Sequence, residues 1–386
     1  MRKTVLCLSL CLLVMIIASS SVFASGEIME APYVDIIING NIVSFDDVPV
    51  FLNNRVLLPL RALLRNLGVK DDDEHIIWNG QEKSVTVYHD HLKIYLKIGD
   101  KTAYINNEKV QLDAEPVIYN KNQRTYIPVR FMSQAIGKKV AWDNLTKTVY
   151  VADESQYESV NEVLNRADAA LDGIGKARID TVMDVNMTTA MGEQTFKIST
   201  TTEIDMQNKI IKMTSILPLG NSILKFESYY LNNAEYIKNA YTGKWTGRKI
   251  GEEEFDKLLY ENLNMASIND RDVMCAGLIA KDGSDRGQSD EDEIVLKGNI
   301  CPKNILAVLD EKIGIGKFEP EKYHVSMYIV KSTGLIKKMV VEAEGKFVTG
   351  AGSSVLATST VSEFKELDGN YNITIPKEVQ SIKIEE

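Results

Sequence analysis

The sequence predicts an α+β protein in which a duplicated small α+β domain precedes a large curved antiparallel sheet (a half-barrel) that helices cover. An ordered set of motifs occurs twice between residues 34 and 152. Long runs after residue 175 then alternate between apolar and polar residues, which is typical of half-buried antiparallel strands. A polar stretch at 152–156 separates the two patterns. We therefore expect domains at 25–152 and 153–386, after a signal peptide at 1–24.

The first 24 residues have the features of a secretory signal peptide. Arg2 and Lys3 precede an apolar run at 5–18, and small residues follow at 22–24. The run is short for a membrane span, which needs about 20 residues. We expect a secreted or cell-envelope, extracytoplasmic protein with no transmembrane segment after cleavage. Retention of the segment as an uncleaved anchor is the alternative.

A motif of strand, proline, arginine, helix, tryptophan and second strand occurs twice. Such a fixed order marks one supersecondary unit that is used in duplicate. A proline suits a strand end that enters a helix, because it fixes φ and donates no hydrogen bond. The first copy also carries an acidic insert at 71–74. The equivalent residues of the two copies are Pro59 and Pro128, Arg61 and Arg130, and Trp78 and Trp142.

The repeated arginines and tryptophans each have a structural and a ligand-binding interpretation. Arg61 and Arg130 either form ion pairs that close the repeat or bind an anion. Trp78 and Trp142 either pack in the core and between repeats or stack on a ligand. Their equivalent positions favour structural roles for all four. We therefore expect alanine at either arginine to lower stability without removing a ligand.

These duplicated elements resemble the copper amine oxidase N-terminal-like domain, also called the stalk domain, which is common in exported proteins of Gram-positive bacteria. The resemblance covers about residues 34–152. It implies a non-catalytic appendage, because the domain has that status in the oxidases for which it was named. The nearest approach to the oxidase's cofactor-forming tyrosine motif, at 367–372, lacks the threonine and the acid. With only four histidines in the chain, we expect no copper site, no cofactor and no amine oxidase activity.

The second domain begins with a helical pattern from Val160 to Leu171 and continues with long alternating strands. Helices are also predicted at 252–259 and 303–312. Alternation in the first two strands places apolar residues on one face and Asp184 and Glu203 on the other, where we expect solvent. The candidates for an apolar-ligand cavity are Met183, Met187, Phe196, Ile198, Ile204 and Met206.

The order of these strands and helices resembles the LolA/LppX-like group of half-barrel lipoproteins, over roughly residues 158–384. In lipid-carrying members the cavity between sheet and helices holds acyl chains, so the resemblance implies an apolar ligand. The chain departs from the group because it lacks a lipidation cysteine. Packing beneath the covering helices is the alternative role for the methionine and aromatic side chains.

Three other clusters contain residue types that can form disulfides or bind metals. Cys275 and Cys301 flank a polar loop whose hairpin would bring them opposite each other, so we expect a disulfide in an exported protein; two buried thiols are the alternative. The histidines at 89 and 91 fit a solvated turn better than a metal site. The acidic loop at 282–293 does not have the ligand spacing of a helix-loop-helix calcium site. We predict no metal.

The charge of the chain and the absence of several catalytic motifs argue against some classes of partner and enzyme. The formal charge of −10, with the acidic excess after residue 152, argues against nucleic acid and anionic lipid surfaces. The sequence contains no nucleophile-elbow or dinucleotide motif. We expect a non-catalytic exported binding or adaptor protein at the bacterial cell envelope, whose partner is an envelope component or an apolar small molecule. A carrier or sensor of a lipid or other apolar ligand is the alternative, and a hydrolase with an unmarked active site is the third hypothesis.

Overall fold

The computed structural model describes residues 27–189, 192–220, 222–263, 268–283, 292–302, 317–349, 352–365, 367, 369, 371–382 and 384. The signal peptide predicted at 1–24, most of the acidic loop and the helix predicted at 303–312 lie outside the described residues. Backbone contacts divide the chain into two units: residues up to 32 with 45–132, and residues 33–44 with 133–386. The domain boundary at 152 does not coincide with this division, and it stays a prediction about independent folding.

Short strands dominate the repeat region. Its elements are β1 (Met29–Glu30), β2 (Asp35–Ile38), β3 (Asn41–Ile42), β4 (Val50–Leu52), β5 (Arg55–Pro59), α1 (Leu60–Asn66), β6 (Ile76–Asn79), β7 (Ser84–His89), β8 (Leu92–Lys97), β9 (Thr102–Ile105), β10 (Glu108–Gln111), β11 (Val117–Tyr119), β12 (Arg124–Pro128), α2 (Val129–Ala135), β13 (Lys138–Asp143) and β14 (Thr148–Asp153).

Longer strands follow in the second half of the chain. Its elements are α3 (Glu154–Leu171), β15 (Lys176–Thr189), β16 (Gly192–Asp205), β17 (Ile210–Leu219), β18 (Ser222–Leu231), β19 (Ala234–Lys238), β20 (Trp245–Lys249), α4 (Glu252–Leu263), α5 (Arg271–Gly277), β21 (Leu278–Asp282), β22 (Glu293–Gly298), β23 (Lys317–Val330), β24 (Ile336–Thr349), β25 (Gly352–Lys365) and α6 (Lys377–Gln380).

The two proline-containing strands meet at the centre of a five-stranded sheet in the first unit, with the order β1-β4-β5-β12-β11. Strands β5 and β12 pair antiparallel, with Leu58 opposite Ile127, Pro59 opposite Tyr126 and Leu57 opposite Pro128. Equivalent residues of the two copies therefore face each other across a local two-fold axis. Each proline ends its strand and leads into a short helix, as predicted.

The outer hairpins of the repeat are exchanged between the copies. The opening hairpin of the second copy, β9-β10, shares a sheet of the order β10-β9-β8-β7-β6 with the closing hairpin of the first copy. In the second unit, the opening hairpin of the first copy joins the closing hairpin of the second copy in the order β13-β14-β2-β3. Strand β2 pairs parallel to β14. The repeat is therefore interwoven and does not form two side-by-side modules.

The described residues of the second half of the chain form one curved antiparallel sheet of eleven strands, with the order β20-β19-β18-β17-β16-β15-β25-β24-β23-β22-β21. Each neighbouring pair is antiparallel. Together with the smaller sheets and short helices of the repeat, this confirms the predicted α+β fold class. Among the described residues, no helix is long and apolar enough to cross a membrane.

Helices cover one face of this sheet, as the sequence predicts. Val160 and Leu164 of α3 and Met274 of α5 pack against Met327 and Val341 in a single buried cluster. Helix α4 contributes Phe255 and Leu259 to a second cluster with Ile204 and Ile211. We call this helix-covered side the concave face.

The opposite face of the sheet is covered in part by the C-terminal segment. Val379 of α6 is buried in a cluster with Tyr229, Leu231, Ala234 and Tyr236, and several isoleucines of the segment and Trp245 pack against it. This cover was not predicted, because 371–384 lacks the periodicity of a helix or strand. It closes the convex face near β18 to β20.

Candidate functional site

The concave face of β15 and β16 carries the predicted cavity residues. Met183 lies opposite Ile198, and Val185 lies opposite Phe196. Cross-strand partners point to the same side of a sheet. The alternation in the sequence therefore places these side chains on one face.

At one end this face is a closed core. Ile204 is 0% exposed and packs with Ile211, Phe255 and Leu259, and Met206 lies against the same cluster. For Ile204 and Met206 the structure thus favours packing beneath a helix over lining a cavity. The six candidates do not line a single cavity, because α4 fills this end.

The other end of the face carries a second apolar cluster. Met183, Met187 and Phe196 are only partly buried there. Every member of the cluster except Cys301 lies on a strand, so none of the described helices supplies a side chain to it. We call this the distal cluster, and its members are Met183, Val185, Met187, Phe196, Cys301, Phe318, Tyr323, Ala343, Phe347 and Leu356.

The exposed apolar surface continues along the sheet beyond the distal cluster. Thr200 lies opposite Ser215, which lies opposite Phe226 on the next strand. Met213 lies opposite Ser228, which lies opposite Ile237. Phe226 is 42% exposed and Ile237 is 44% exposed. The open concave face is therefore defined by Met183, Met187, Phe196, Ile198, Phe226 and Ile237.

The concave face also carries hydroxyl groups that pair with one another. Thr181 Oγ1 lies 3.0 Å from Ser362 Oγ, and Thr200 Oγ1 lies 2.9 Å from Ser215 Oγ. A paired hydroxyl presents less unsatisfied polarity to an apolar neighbour. These hydroxyl pairs are uncharged and remain compatible with an apolar ligand.

Charged side chains of the same strands lie on the convex face in ion pairs. Lys212 Nζ is 2.5 Å from Glu203 Oε2, and Lys197 Nζ is 3.2 Å from Asp184 Oδ1. The Asp184 side chain is 46% exposed, whereas the Glu203 side chain is only 19% exposed. Replacing Glu203 would therefore disturb a half-buried pair and not only a solvated carboxylate.

Asp180 shows how the convex face holds its charge. Burial acts to raise the pKa of this carboxyl group, but hydrogen bonds from Thr201 and Lys365 and the positive charges of Arg178 and Lys365 outweigh it. The pKa of Asp180 is therefore lowered, and the group is ionised at neutral pH. The convex face near β15 and β25 thus holds its charge in ion pairs, whereas the pair of Arg248 with Glu235 lies on the concave face, in the row of Ile204 and Ile211.

A concavity of about 440 Å³ is lined by residues of β2, β3, β15 and β23 to β25. Its walls include Asp35, Lys322, His324, Glu342 and Glu344. Lys322 Nζ pairs with Glu344 Oε2 at 3.2 Å, and His324 Nδ1 lies 3.1 Å from the Asn299 amide oxygen. Over the described residues, no group of three or more acidic, histidine or cysteine side chains could hold a metal ion.

The repeated arginines have different surroundings. Arg61 donates to Asp71 at 2.8 Å and to Asp73 at 3.0 Å, so the acidic insert supplies its ion pairs. Arg130 is exposed and forms no ion pair with any residue that the structure describes. The closing ion pair expected for both copies is present only in the first, because the second copy lacks the insert.

The repeated tryptophans also differ. Trp78 is 43% exposed and lies on β6, an edge strand. Trp142 lies on β13, pairs with Val149 and is half-buried. The packing role expected of both therefore fits Trp142 better than Trp78.

The expected disulfide is not formed. Cys275 and Cys301 are both buried thiols. The hairpin of β21 and β22 does bring Leu278 opposite Gly298, but the chain diverges beyond it. Cys275 then packs under α3 and Cys301 joins the distal cluster. Burial raises the pKa of the Cys275 thiol to about 11, so it is protonated and unreactive at neutral pH.

The histidine cluster at 89–91 forms a turn, as predicted. His89 pairs with Leu92 at the end of the β7-β8 hairpin, and Asp90 has a φ of 48°. His89 Nε2 lies 3.8 Å from Asp90 Oδ2. Most of the acidic loop at 282–293 lies outside the described residues.

Comparison with known proteins identifies the repeat region. Residues 37–151 match the family model of the copper amine oxidase N-terminal domain. The resemblance seen in the duplicated motifs is thereby confirmed for this segment, which is less than half of the chain. The chain has no match among curated proteins.

Solved structures with similar folds are distant in sequence. Lipoprotein LppX of Mycobacterium tuberculosis aligns over 56% of this chain and 99% of its own, with 8% identity and a TM-score of 0.33. A LolA superfamily protein of Nitrosomonas europaea aligns over 57% and 96%, with 8% identity and a TM-score of 0.22. A DUF1329 family protein of Desulfovibrio piger aligns over 57% and 95%, with 12% identity and a TM-score of 0.24. The names of the first two, LppX and LolA, are those of the group that the sequence of the second domain resembles.

Proposed function

We propose that this is a non-catalytic extracytoplasmic binding protein that holds an apolar ligand on its open concave face. The exposed apolar side chains of that face carry the proposal: Phe226 and Ile237 are 42% and 44% exposed, and Met183, Met187 and Phe196 are only partly buried. Contiguous exposed apolar surface usually marks a binding site. Methionine side chains adapt to ligands of irregular shape.

The distribution of polar groups supports an apolar ligand over a charged one. Lys197 and Asp184 pair on the convex face, as do Lys212 and Glu203. On the concave face, two hydroxyl pairs, Thr181 with Ser362 and Thr200 with Ser215, lie next to the exposed apolar side chains. Beside Met183 and Phe196, a charged headgroup would contact apolar side chains and lose its hydration. The acyl chain of a lipid fits this surface.

A non-catalytic role for the repeat domain is supported by the extent of the family match. The match covers the N-terminal domain of copper amine oxidases and stops at residue 151. In this proposal the repeat connects the half-barrel to another envelope component. An adaptor that binds no small molecule is the alternative, and the ligand experiment distinguishes the two.

Titration of the purified protein with a dansyl-labelled undecanoic acid tests the proposal. We expect saturable fluorescence enhancement, which Met187→Trp weakens because the larger ring occupies the open concave face without unfolding the chain. Asp184→Asn, on the opposite face of the same strand, is the matched control and should bind like the wild type. Native mass spectrometry of the untreated protein should also show co-purifying lipid.

The variant Ile204→Trp separates the two ends of the face. Ile204 is fully buried among Ile211, Phe255 and Leu259, so a larger ring should overpack the core and lower the free energy of unfolding by about 1–3 kcal/mol. If the wild type binds no fatty acid and Met187→Trp is as destabilised as Ile204→Trp, the open concave face is a filled core. The adaptor hypothesis would then replace the carrier.

A further inference from the structure

We propose that a cleft around Trp78, in the first unit, binds a neutral β-1,4-linked oligosaccharide. The cleft has a volume of about 420 Å³, which is within the usual range for small-ligand sites. It lies where the sheet that contains β12 meets α1 and the strands β6 and β7. Its polar and aromatic walls include Arg61, Trp78, Gln123, Arg124 and Thr125.

The indole of Trp78 is the recognition surface. Its side chain is 43% exposed although tryptophan is the largest apolar side chain. Its indole N–H donates no hydrogen bond to any described residue, and a Cβ atom at Gly80 would lie 3.6 Å from the indole nitrogen. A flat apolar face beside an unused donor suits a ligand that offers both C–H groups and hydroxyl oxygens.

The polar walls are fixed donors whose charge is already balanced. Arg61 donates to Asp71, to Asp73 and, at 3.2 Å, to the carbonyl oxygen of Ile76. These bonds use three of its five N–H donors. Arg124 Nη1 pairs with Asp47. Both guanidinium groups are thus held in place by carboxylates and keep donors for a ligand, but the cleft offers little net positive charge to an anion.

This combination favours one class of ligand. In a β-1,4-linked chain of gluco-configured pyranoses, the hydroxyls and linkages are equatorial. The axial C–H groups therefore form a flat apolar face for the indole, and the equatorial hydroxyls reach the surrounding donors. An α-linked chain coils away from such a platform. A polyuronate would add carboxylates that the balanced arginines do not attract.

Two neutral probes test the proposal, cellohexaose and chitohexaose, with maltohexaose and hexagalacturonate as comparisons. The chain has three tryptophans, so a proton–nitrogen spectrum shows three resolvable indole signals, and Trp78→Phe assigns one of them. We expect at least one neutral β-1,4 probe to shift the Trp78 signal and to bind with the same affinity at about 50 and about 500 mM NaCl, since no charge pairing is involved.

Matched variants locate the site. Trp78→Ala should lower the affinity about tenfold or more, and Trp78→Tyr should lower it less because a smaller aromatic face remains. Trp142→Phe changes the equivalent residue of the other copy and should bind like the wild type. All variants should keep the fatty-acid binding of the half-barrel, so failure of one proposal leaves the other intact.

Several results would overturn the inference. One is the absence of a Trp78 shift with both neutral probes; another is a shift confined to the other two indoles. Salt-sensitive binding of hexagalacturonate alone would make the cleft an anion site. If Trp78→Ala fails to fold, the affinity of Trp78→Tyr and the assigned signal of the wild type still decide the matter.

Discussion

In the first copy of the repeat, Leu58 is fully buried opposite Ile127, its counterpart in the second copy. The turns that open the copies also agree: φ is 49° and 73° at Asn39 and Gly40, and 50° and 72° at Asn106 and Asn107. The copies therefore share what the backbone and the core require. Two residues in the left-handed region are characteristic of the tight hairpin turn that matches strand twist.

The copies differ where side chains meet solvent. Arg61 is held by Asp71 and Asp73, whereas Arg130 is exposed without an ion pair in the described part of the chain. Trp78 is exposed and Trp142 is half-buried. Duplication thus preserves a folding pattern and leaves surface residues able to take separate roles.

The largest expected effects are equal in the two copies. Leu58→Ala and Ile127→Ala each remove a fully buried side chain from the central strand pair. Each should lower the free energy of unfolding by about 2–5 kcal/mol through lost burial and a cavity. Urea unfolding followed by circular dichroism measures both. If the loss in free energy of unfolding of one variant is less than about a third of the loss of the other, the two copies do not contribute equally to stability.

The second largest effect concerns the turn of the first copy. A Cβ atom at Gly40 would lie 2.5 Å from Ile279 Cδ1, and the φ of +73° disfavours a side chain there. Gly40→Asn, which copies Asn107 into the first turn, should therefore cost about 1–3 kcal/mol. Unfolding midpoints of this variant and of Asn107→Ala provide the comparison. If Gly40→Asn is neutral, Ile279 can move aside and the turn is not constrained by packing.

Much of the repeat could be predicted from sequence because its determinants are local. Proline fixes φ at the strand ends Pro59 and Pro128, and asparagine with glycine or a second asparagine accepts the left-handed turn. The exchange of hairpins could not be predicted in this way. Strand β2 pairs with β14, which lies more than a hundred residues later in the chain. No local pattern in either strand indicates this pairing.

The candidate site was predictable only to the level of a sheet face. Alternation placed Met183, Phe196 and Ile204 on one side of the sheet, as the register shows. It could not tell that α4 fills the end near Ile204 while the end near Met183 stays partly exposed. Helix docking decides this, and so does the separation of Cys275 from Cys301 into different clusters. Exposure of Trp78 likewise depends on β6 lying at a sheet edge.

The arginine comparison predicts a smaller and unequal effect. Arg61→Ala removes the two ion pairs with the acidic insert, but the Arg61 side chain is 43% exposed and that of Asp73 is 97% exposed. Surface pairs of this kind contribute roughly 0–1 kcal/mol, so we expect a loss near the upper end for Arg61→Ala and almost none for Arg130→Ala.

A double-mutant cycle sharpens that comparison. If the insert supplies the stabilisation, Asp71→Asn with Arg61→Ala should cost little more than Arg61→Ala alone. Additive losses would mean that Asp71 acts through other contacts, such as its 3.7 Å pair with Arg65. An equal loss from Arg130→Ala would restore the original expectation that both arginines close their copies.

The smallest expected effect has the opposite sign. Asn107 occupies the second turn position at a φ of 72°, where the first copy has glycine. Asparagine tolerates this region, but glycine enters it without steric cost, and Asn-Gly is the favoured pair for such turns. Asn106 must stay, because its side chain accepts a hydrogen bond from the backbone N–H of Lys93 at 2.8 Å. The greater freedom of glycine in the unfolded chain offsets part of the steric gain in the turn. Asn107→Gly should therefore raise the free energy of unfolding by only about 0.5 kcal/mol. Paired urea titrations of this variant and the wild type can resolve the gain, and a loss of stability would indicate that the Asn107 side chain makes a contribution absent from the first copy.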